Sequence, residues 1–490
     1  MCQPRSGLTV ILAGLISPAW AGLVQSGSDA GDADPPPAAT TQLVPVDYVL
    51  DVRVDYDASK LCGHCRLTIR NAGAAAVERV PLYLYRLLEV RGVAEAGGAV
   101  LPFTQRVAAL PDWPTRQVNR VDVRLSTPLA PGGQVVLAIQ YDGYLLGYAE
   151  LGMQYIRDRI DQDFVLIRED CDAYPQVGGD SWKSMRARGL PEFTYTAHVA
   201  VPKAYVVANG GELLGKQDRD GNVTYSYQSI KPSFRIDLAI GDYVILRDGT
   251  NKVFCFRQDE AGGKRVLSAL KDALALYAKW FGPLVDFRGY AVIEIPEGWG
   301  SQADVTSIIQ DAAAFQRPDA LGRLYHEVAH QWNVRAREAA PCRVESEGFA
   351  TLMQFLAEEK LEGRGGAVAD GVKRLASRFK EACERNPRLA QIAIIDYGRE
   401  RVTDLAYSKG MVFFAVLYEL AGAEVFNEII AMHYRQYHAT GASADDFFKT
   451  CKRLGGAKVA RLIDEWVYGT QSSAYLLQGL ALDELVSKYR

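Results

Sequence analysis

The fragment His326-Glu327-Val328-Ala329-His330 has the form H-E-x-x-H, and it constrains the fold more than any other part of the chain. On a helix, residues four apart lie on one face, one turn apart. Both histidines can therefore direct their imidazoles at one zinc ion, while Glu327 reaches a water molecule beside it. The chain holds only six histidines. We therefore interpret the pattern as a zinc motif on a helix rather than as a buried histidine pair.

A third protein ligand is expected soon after this helix. Two histidines leave a catalytic zinc ion one protein ligand short of the usual three. The candidates are Glu338, Glu345 and Glu347. A two-residue offset on a helix turns a side chain by about 200°, so Glu345 and Glu347 cannot both face the metal. Glu347 begins an amphipathic run that would pack against the first helix. We predict Glu347 as the ligand, with Glu345 as the alternative.

Composition sets broad limits on the molecule. At 490 residues the chain is long enough for two or three domains, each with a full-sized core. Hydrophobic residues make up 48% and charged residues 23%, which is ordinary for a soluble globular protein. The net charge of −4 gives no electrostatic reason to expect nucleic acid as a partner. Nothing in the sequence indicates an oligomeric state.

The N-terminus has the pattern of an export signal. Arg5 supplies a weak positive region, residues 8–16 form an apolar core, and Ala19-Trp20-Ala21 is a small-x-small cleavage site. We predict a signal peptide at 1–21 and export to the periplasm or the extracellular space. The apolar core is too short for a permanent anchor, and no other segment offers about 18 uninterrupted apolar residues. No stable membrane span is expected.

Seven cysteines follow the predicted signal peptide: Cys62, Cys65, Cys171, Cys255, Cys342, Cys383 and Cys451. An odd, scattered set is not a disulfide framework, although an oxidising compartment would permit one or two bridges. Cys62-Gly63-His64-Cys65 has the C-x-x-C form of a redox dithiol, but such dithiols work at a helix N-terminus. The flanking segments here have strand patterns. We expect a turn-linked disulfide or two plain thiols.

The first half of the chain has the alternating apolar and polar residues that are typical of β-strands. Residues 22–44 form a low-complexity linker that contains Pro35-Pro36-Pro37. From 45 to 246, short alternating runs such as 48–54 and 135–139 are separated by turn residues. Asp220-Gly221-Asn222 marks a hairpin turn. This pattern predicts an antiparallel, sandwich-like β-domain over 45–246.

Helical periods dominate after about residue 247. One strand pair remains, at 253–257 and 291–295. Apolar residues at three-and-four spacing predict helices at 266–281, 320–332, 348–359, 411–420 and 424–437. We assign 247–470 to a second, mostly helical domain that carries the zinc motif, and 471–490 to a C-terminal tail.

Two segments of this second domain resemble a known family. Residues 325–332 read Y-H-E-V-A-H-Q-W, and 346–350 read S-E-G-F-A. They resemble the H-E-x-x-H-Q-W and N-E-G-F-A segments of the gluzincin metallopeptidases, in the family of membrane alanyl aminopeptidase and leukotriene hydrolase. The resemblance covers about residues 45–470. It implies a thermolysin-like catalytic domain, with Glu347 in the position of the third zinc ligand.

Further motifs agree in order and spacing. Trp280-Phe281-Gly282-Pro283 looks like the family's Y-F-G-x-P, and Trp466-Val467-Tyr468-Gly469 resembles the segment that closes the catalytic domain. Tyr407-Ser408-Lys409-Gly410 looks like the family's Y-x-K-G, whose tyrosine stabilises the tetrahedral intermediate. The resemblance therefore implies that Tyr407 is the oxyanion donor.

The sequence also departs from the family. The loop between His330 and Glu347 is two residues shorter, and we expect no counterpart of the family's long helical C-terminal domain. The exopeptidase signature G-x-M-E-N is replaced by Gly298-Trp299-Gly300-Ser301-Gln302. Ser301 takes the place of the glutamate that pairs with a substrate's α-ammonium, and a hydroxyl cannot supply that charge. Ser301, Gln302 and the nearby Glu297 are the expected substrate-binding residues.

These observations predict a multidomain protein, with an N-terminal antiparallel β-sandwich-like domain followed by a thermolysin-like, mostly α-helical zinc catalytic domain. We expect an exported, aminopeptidase-like zinc metallopeptidase that hydrolyses peptides through a zinc-activated water. One Zn²⁺ would be held by His326, His330 and Glu347, with Glu327 as general base. The alternatives are a zinc endopeptidase or another zinc hydrolase, of an ester or an epoxide, without specificity for a free N-terminus. A non-catalytic binding protein on this fold is a third hypothesis.

Overall fold

The computed structural model describes residues 43–148, 159–179, 181, 191–299, 301–338 and 340–490. The predicted signal peptide, 1–21, and residues 22–42 of the predicted linker lie outside these ranges. Leu43 and Val44, at the end of the predicted linker, belong to the first strand. Leu43 is buried in the core of the N-terminal sheets.

The described residues up to Gly241 contain fourteen strands. They are β1 (Leu43–Asp55), β2 (Lys60–Asn71), β3 (Val77–Tyr85), β4 (Leu88–Glu95), β5 (Phe103–Leu110), β6 (Trp113–Leu129), β7 (Gln134–Tyr144), β8 (Phe164–Ile167), β9 (Gln176–Val177), β10 (Thr194–Pro202), β11 (Val206–Ala208), β12 (Glu212–Arg219), β13 (Asn222–Gln228) and β14 (Leu238–Gly241). Buried and exposed residues alternate along β1 and β10, as expected where one face of a sheet covers a core.

These strands form three sheets. The largest has the order β12-β13-β10-β1-β2-β7-β4, and the others are β5-β6-β3-β9 and β11-β14-β8. Their inward faces share one apolar core. The structure confirms the β-sheet-rich N-terminal domain, and the predicted hairpin turn joins β12 to β13. One pair, β1 with β10, is parallel rather than antiparallel.

The C-x-x-C segment lies within a single strand. Cys62 and Cys65 are both in β2, which continues without a turn from Lys60 to Asn71. Residues three apart in a strand point to opposite faces, so Cys65 is buried while Cys62 is partly exposed. All the cysteines that the structure describes are free. The expectation of two plain thiols is therefore right, and the turn-linked disulfide is wrong.

The second half of the chain contains five strands and ten helices in its described residues. The strands are β15 (Tyr243–Asp248), β16 (Asn251–Phe256), β17 (Ala291–Ile295), β18 (Gln302–Ala303) and β19 (Ser307–Asp311). The helices are α1 (Glu260–Phe281), α2 (Ala313–Gln316), α3 (Gly322–Ala329), α4 (Phe349–Leu361), α5 (Ala367–Arg385), α6 (Met411–Ala421), α7 (Ala423–Tyr437), α8 (Ala444–Ile463), α9 (Gln471–Leu477) and α10 (Leu482–Ser487).

The five predicted helices correspond to α1, α3, α4, α6 and α7. The predicted strand pair is part of a larger sheet of order β15-β16-β17-β19-β18. Strand β15 spans the expected domain boundary near residue 246 and pairs with β16. Short strands such as β18 carry too few residues for alternation to be recognised, which is why the sequence indicated only two strands.

Residues 471–490 are not a tail. They contain α9 and α10, and Leu476, Leu485 and Tyr489 are buried in the same core as the zinc-motif helix. The Trp466 indole donates a hydrogen bond to the Tyr489 hydroxyl at 2.9 Å, which ties the end of the chain to the domain interior. Within the described residues, no single helix is long and apolar enough to cross a membrane, and 406–421 with 423–437 pass that test only as a pair bent by 119°.

Candidate active site

Helix α3 presents the two histidines of the zinc motif. It ends at Ala329, and His330 begins a 3₁₀ turn that continues to Trp332. The Trp332 indole donates to the Gly282 carbonyl at 3.0 Å. Gly322, at the start of α3, lies against α4 so closely that a Cβ there would be 2.2 Å from Glu358 Oε1. Close packing against α4 and the Trp332 anchor therefore fix the direction in which α3 presents its polar face.

The structure brings the three predicted ligands together. The Nε2 atoms of His326 and His330 lie 3.2 Å apart. Glu347 Oε2 lies 3.3 Å from the first and 3.5 Å from the second. Within the described part of the chain, this is the one group of His, Cys, Asp or Glu whose ligand atoms all lie within 4.8 Å of one another. Two imidazole nitrogens and one carboxylate are the donor set of a catalytic zinc site.

A buried carboxylate oxygen supports the fit to a cation. Glu347 Oε2 is buried and accepts no hydrogen bond from the residues that the structure describes. Such an atom normally has a partner, and a metal ion would satisfy it. The other two candidates point elsewhere. Glu345 accepts a hydrogen bond from the Cys342 thiol at 3.1 Å, and Glu338 accepts one from the Ala444 backbone N–H at 2.6 Å. The arrangement fits a single zinc ion.

Two π-helical turns carry Glu347 and Tyr407. The first spans Val344–Gly348 and the second Ala406–Gly410. They pack against each other through their glycines, because a Cβ on Gly348 would lie 2.8 Å from the Gly410 carbonyl carbon. π-Helical turns are rare in proteins, and those that occur often lie at functional sites. Because no side chain separates the two turns, their backbones lie in contact. This contact brings Glu347 and Tyr407 to the same side of α3.

The electrostatics of the cluster favour an anionic ligand. Burial by itself raises the pKa of Glu347, but the charges of Arg343 and His330 hold it well below its usual value. Burial lowers the pKa of His330, and Glu347 more than compensates, so that the net shift is upward. A carboxylate must be deprotonated to bind a metal. Glu347 is therefore in the ligand form at neutral pH.

Tyr407 and Glu327 lie beside this group. The Tyr407 ring is nearly parallel to the His326 imidazole, at 17°, with centroids 6.0 Å apart. Burial raises the pKa of Tyr407 well above its usual value, and the charges of Glu347 and Glu327 raise it further. The charge of Glu327 also raises the pKa of His330. Glu327 is therefore close to a metal ligand and to the predicted oxyanion donor.

Two residues contact the other ring nitrogens of the histidines. The Asn333 amide nitrogen lies 2.6 Å from His330 Nδ1, and the Thr351 hydroxyl lies 3.5 Å from His326 Nδ1. Asn333 Oδ1 is buried without a partner among the described residues. Exchange of the two amide atoms by a 180° rotation would let that oxygen accept the Nδ1–H of His330. Thr351 donates to the Glu347 carbonyl at 2.7 Å, so its oxygen can accept from His326.

These contacts add residues that sequence reasoning missed. The partner of His326 is a hydroxyl, and that of His330 is an amide. Asn333 follows the zinc motif directly, so its place in the sequence was a usable signal. Thr351 offered no signal, because only the packing of α4 on α3 brings it to the site. Arg343 lies four residues before Glu347, and this spacing was a usable signal.

The three predicted substrate-binding residues lie outside the group of metal ligands. The Ser301 hydroxyl is buried and accepts hydrogen bonds from the Gln310 amide at 3.1 Å and the Asp311 backbone N–H at 3.0 Å. Gln302 is in β18 and accepts a hydrogen bond from Arg168 at 3.2 Å. Glu297 is solvent-exposed in the turn after β17. Ser301 therefore joins the turn to β19, and none of the three is among the grouped ligands.

Comparisons with known proteins agree with this site. Residues 310–466, which include all three ligands and Tyr407, match the peptidase family M1 domain. The chain is 22% identical over 281 residues to aminopeptidase M1-D of Oryza sativa subsp. japonica, covering 53% of this chain and 32% of that protein. It is 22% identical over 306 residues to aminopeptidase M1 of Arabidopsis thaliana, covering 56% and 34%. The chain thus spans about a third of the length of these relatives.

Solved structures share the fold over most of the chain. A mutant M1 zinc metallopeptidase from Deinococcus radiodurans, bound to a Tyr-Ser-Ala substrate, superposes with a TM-score of 0.61 at 19% identity, covering 87% of this chain and 94% of that one. A two-domain M1 zinc metallopeptidase bound to L-arginine gives 0.60 at 20% identity, with the same coverage. The order of a β-sheet-rich domain and a helical domain is common to all of them.

Proposed function

Because residues 310–466 match the peptidase family M1 domain and the chain has the fold of M1 zinc metallopeptidases, we propose that it is a zinc-dependent, aminopeptidase-like metallopeptidase. The observation that carries the proposal is the group of His326, His330 and Glu347 with Glu327 and Tyr407 beside it. A fold by itself does not define an activity, whereas this set of side chains provides each chemical role that peptide hydrolysis needs.

The three ligands would hold one zinc ion. Zinc in such a site acts as a Lewis acid, which makes water nucleophilic near neutral pH and polarises a substrate carbonyl. Glu327, which is buried next to the ligand His326, takes the proton of the attacking water and passes it to the leaving amine. Tyr407 keeps its proton at neutral pH because burial raises its pKa, so its hydroxyl can donate to the developing oxyanion.

Glu327→Gln tests this assignment. The amide retains the size of the side chain but cannot accept the proton, so we expect peptide hydrolysis to fall by about 10²–10⁴-fold. Zinc content, measured by atomic emission on the purified protein, should stay near one ion per chain because all three ligands remain. A variant that keeps full activity would reject Glu327 as the general base.

We further propose that the enzyme prefers substrates with a free N-terminus. The names of the plant relatives and the Tyr-Ser-Ala complex of the Deinococcus protein support it. The buried, structural position of Ser301 favours the alternative, an endopeptidase or another zinc hydrolase that needs no α-ammonium. Hydrolysis rates on a free peptide and on its N-acetylated form separate the two. Equal rates would reject the aminopeptidase.

A non-catalytic binding protein is the remaining hypothesis. Its ligands would be peptides, and it would keep the fold without the chemistry. The intact set of ligands, base and oxyanion donor is evidence against it, since nothing would maintain Glu327 and Tyr407 there. A purified protein that contains no zinc, and gains no activity when zinc is added, would favour this hypothesis over the enzyme.

We also propose that the protein is exported. The support is the signal-peptide pattern of residues 1–21, with its cleavage site before Gly22. Mass spectrometry of the protein from its native host should find a mature N-terminus at Gly22. Recovery of chains that still begin at Met1, in the cytosolic fraction alone, would contradict export.

A further inference from the structure

Arg343 is held in a fixed relation to the ligand Glu347. It lies four residues earlier, immediately before the π-helical turn Val344–Gly348, with φ at 63°. This is the left-handed region, which residues other than glycine adopt rarely. The Glu347 backbone N–H donates to the Arg343 carbonyl at 2.7 Å. The backbone of the turn thus sets where the arginine side chain meets the carboxylate.

The two carboxylate oxygens of Glu347 have different surroundings. Oε1 accepts a hydrogen bond from the Arg343 guanidinium. Oε2 faces the Nε2 atoms of His326 and His330 and is buried without a hydrogen-bond partner among the described residues. A carboxylate held at one oxygen has one remaining oxygen for a metal. Arg343 therefore determines which oxygen points into the ligand group.

Arg343 also lies beside the predicted oxyanion donor. Its guanidinium carbon is 6.0 Å from the centroid of the Tyr407 ring, in a cation–π contact. The side chain is 36% exposed, whereas that of Glu347 is 6% exposed. The arginine consequently bridges the two π-helical turns from the solvent side, with its charge next to the ligand and next to Tyr407.

We propose that Arg343 is a positioning residue of the zinc site: it holds Glu347 Oε1 so that Oε2 alone binds the metal, and keeps the Glu347 turn aligned with Tyr407. The proposal rests on the proposed zinc-dependent function. Partners behind metal ligands orient those ligands, and their loss typically weakens metal binding by about 10–100-fold.

A purely electrostatic role makes a different prediction for Arg343→Lys. If Arg343 acted by its charge alone, this variant would bind zinc as tightly as the original protein. Positioning predicts weaker binding in Arg343→Lys as well, because an ammonium lacks the planar fork that holds Glu347 Oε1. The zinc affinity of Arg343→Lys therefore distinguishes the two roles without any measurement of activity.

The experiment measures the zinc dissociation constant of the purified full chain by competition with a chromophoric chelator. We expect Arg343→Ala to bind zinc about 10–100-fold more weakly than the original protein. Arg343→Lys should give an intermediate value, because it keeps the charge and one donor but loses the planar fork. Arg343→Gln should bind about as weakly as the alanine variant or somewhat better, since it retains a donor.

Arg364→Ala is the matched control. Arg364 pairs with Glu358 at 3.0 Å, and the side chains are 53% and 6% exposed, so it too is a partly exposed arginine on a buried glutamate of the same domain. It should lower the thermal midpoint of the metal-free protein without changing zinc affinity. If Arg343→Ala fails to fold, Arg343→Lys and Arg343→Gln carry the comparison.

The outcomes separate the inference from the proposed function. Unchanged or tighter zinc binding in the folded Arg343 variants overturns the positioning role, even if the original protein binds zinc and hydrolyses peptides. Equal weakening by Arg364→Ala also overturns it, since the effect would then be one of general stability. Absence of zinc binding by the original protein would instead reject the proposed function on which the inference rests.

Discussion

At the scale of single residues, the site combines ligands with the groups that orient them. His330 and His326 each contact a neutral polar side chain through Nδ1, from Asn333 and Thr351 respectively. Such contacts select the tautomer in which Nε2 is free to bind a metal. Neither neighbour carries a charge, so the charge balance of the site is set by Glu327, Glu347 and Arg343.

Tyr407→Phe tests the role of the tyrosine hydroxyl. The ring would still stack on His326, so the fold and the zinc affinity should be preserved. The loss of one oxyanion donor typically lowers kcat by about 10²–10³-fold, and KM should change little if the hydrogen bond forms only as charge develops. Steady-state kinetics measure both constants. A rise in KM with an unchanged kcat would show that Tyr407 contributes only to substrate binding.

At the scale of secondary structure, the site depends on contact between two unusual turns. Gly348 and Gly410 let the π-helical turns that carry Glu347 and Tyr407 approach at backbone distance. Helices α4 and α6 begin directly after these turns, at Phe349 and Met411. A side chain between the turns would push apart both the ligand and the oxyanion donor.

Gly348→Ala should therefore damage the site as well as the fold. The new Cβ would lie 2.8 Å from the Gly410 carbonyl carbon, so the backbone must shift. We expect a loss of about 1–3 kcal/mol in the free energy of unfolding, as for other overpacked positions. Zinc affinity should fall as well. Urea denaturation measures the free energy of unfolding, and chelator competition measures the zinc affinity.

Gly365→Ala is the control for this change. No atom lies within 4 Å of the Cβ that would be added there. It should leave zinc affinity unchanged and shift stability by a few tenths of a kcal/mol at most. If the two variants behave alike, close approach of the two turns is not what the site requires.

At the scale of the whole molecule, buried polar contacts join the β-sheet-rich domain to the catalytic domain. The Ser233 hydroxyl lies 2.7 Å from Asp304 Oδ1, and Lys252 donates to the Gly211 carbonyl at 2.7 Å. Gly210 packs on β19, where a Cβ would lie 2.5 Å from Ser307 Oγ. These contacts hold the β-sheet-rich domain against the five-stranded sheet β15-β16-β17-β19-β18 of the second domain.

Asp304 makes this interface sensitive to pH. Burial, aided by the charge of Asp237, raises the pKa of Asp304 to about 7. An unfolded chain releases the same proton near pH 4. Between these values the folded protein binds a proton that the unfolded chain has lost. The contribution to stability is therefore complete below about pH 4 and is lost as the pH rises through about 7.

Asp304→Asn should flatten that dependence. The amide oxygen can still accept a hydrogen bond from the Ser233 hydroxyl, but the amide does not titrate. The free energy of unfolding, measured in urea from pH 5 to 8, should decline less with pH in this variant than in the original protein. The difference is expected on the order of 1–4 kcal/mol across the window. An identical decline in both proteins would exclude Asp304 as the titrating group.

The sequence by itself determined the parts of this protein that depend on local spacing. The residues of H-E-x-x-H are four apart, so any helix places both histidines on one face, and the apolar periods found α1, α3, α4, α6 and α7 within a few residues. Helical geometry also showed that Glu345 and Glu347 cannot both be ligands, and the amphipathic run that begins at Glu347 decided between them. Tyr407 was identified by motif resemblance, because it lies too far along the chain from H-E-x-x-H for local spacing to indicate it.

The contacts between segments that are distant in sequence could be determined only from the tertiary structure. It placed Thr351 on His326, gave Ser301 a structural role, and packed the end of the chain into the core. The physical reason is that backbone periodicity is set by neighbours in sequence, whereas side-chain contacts depend on how helices and turns pack across many intervening residues. H-E-x-x-H thus identified the metal chemistry, and the packing of α4 and the two π-helical turns determined its geometry.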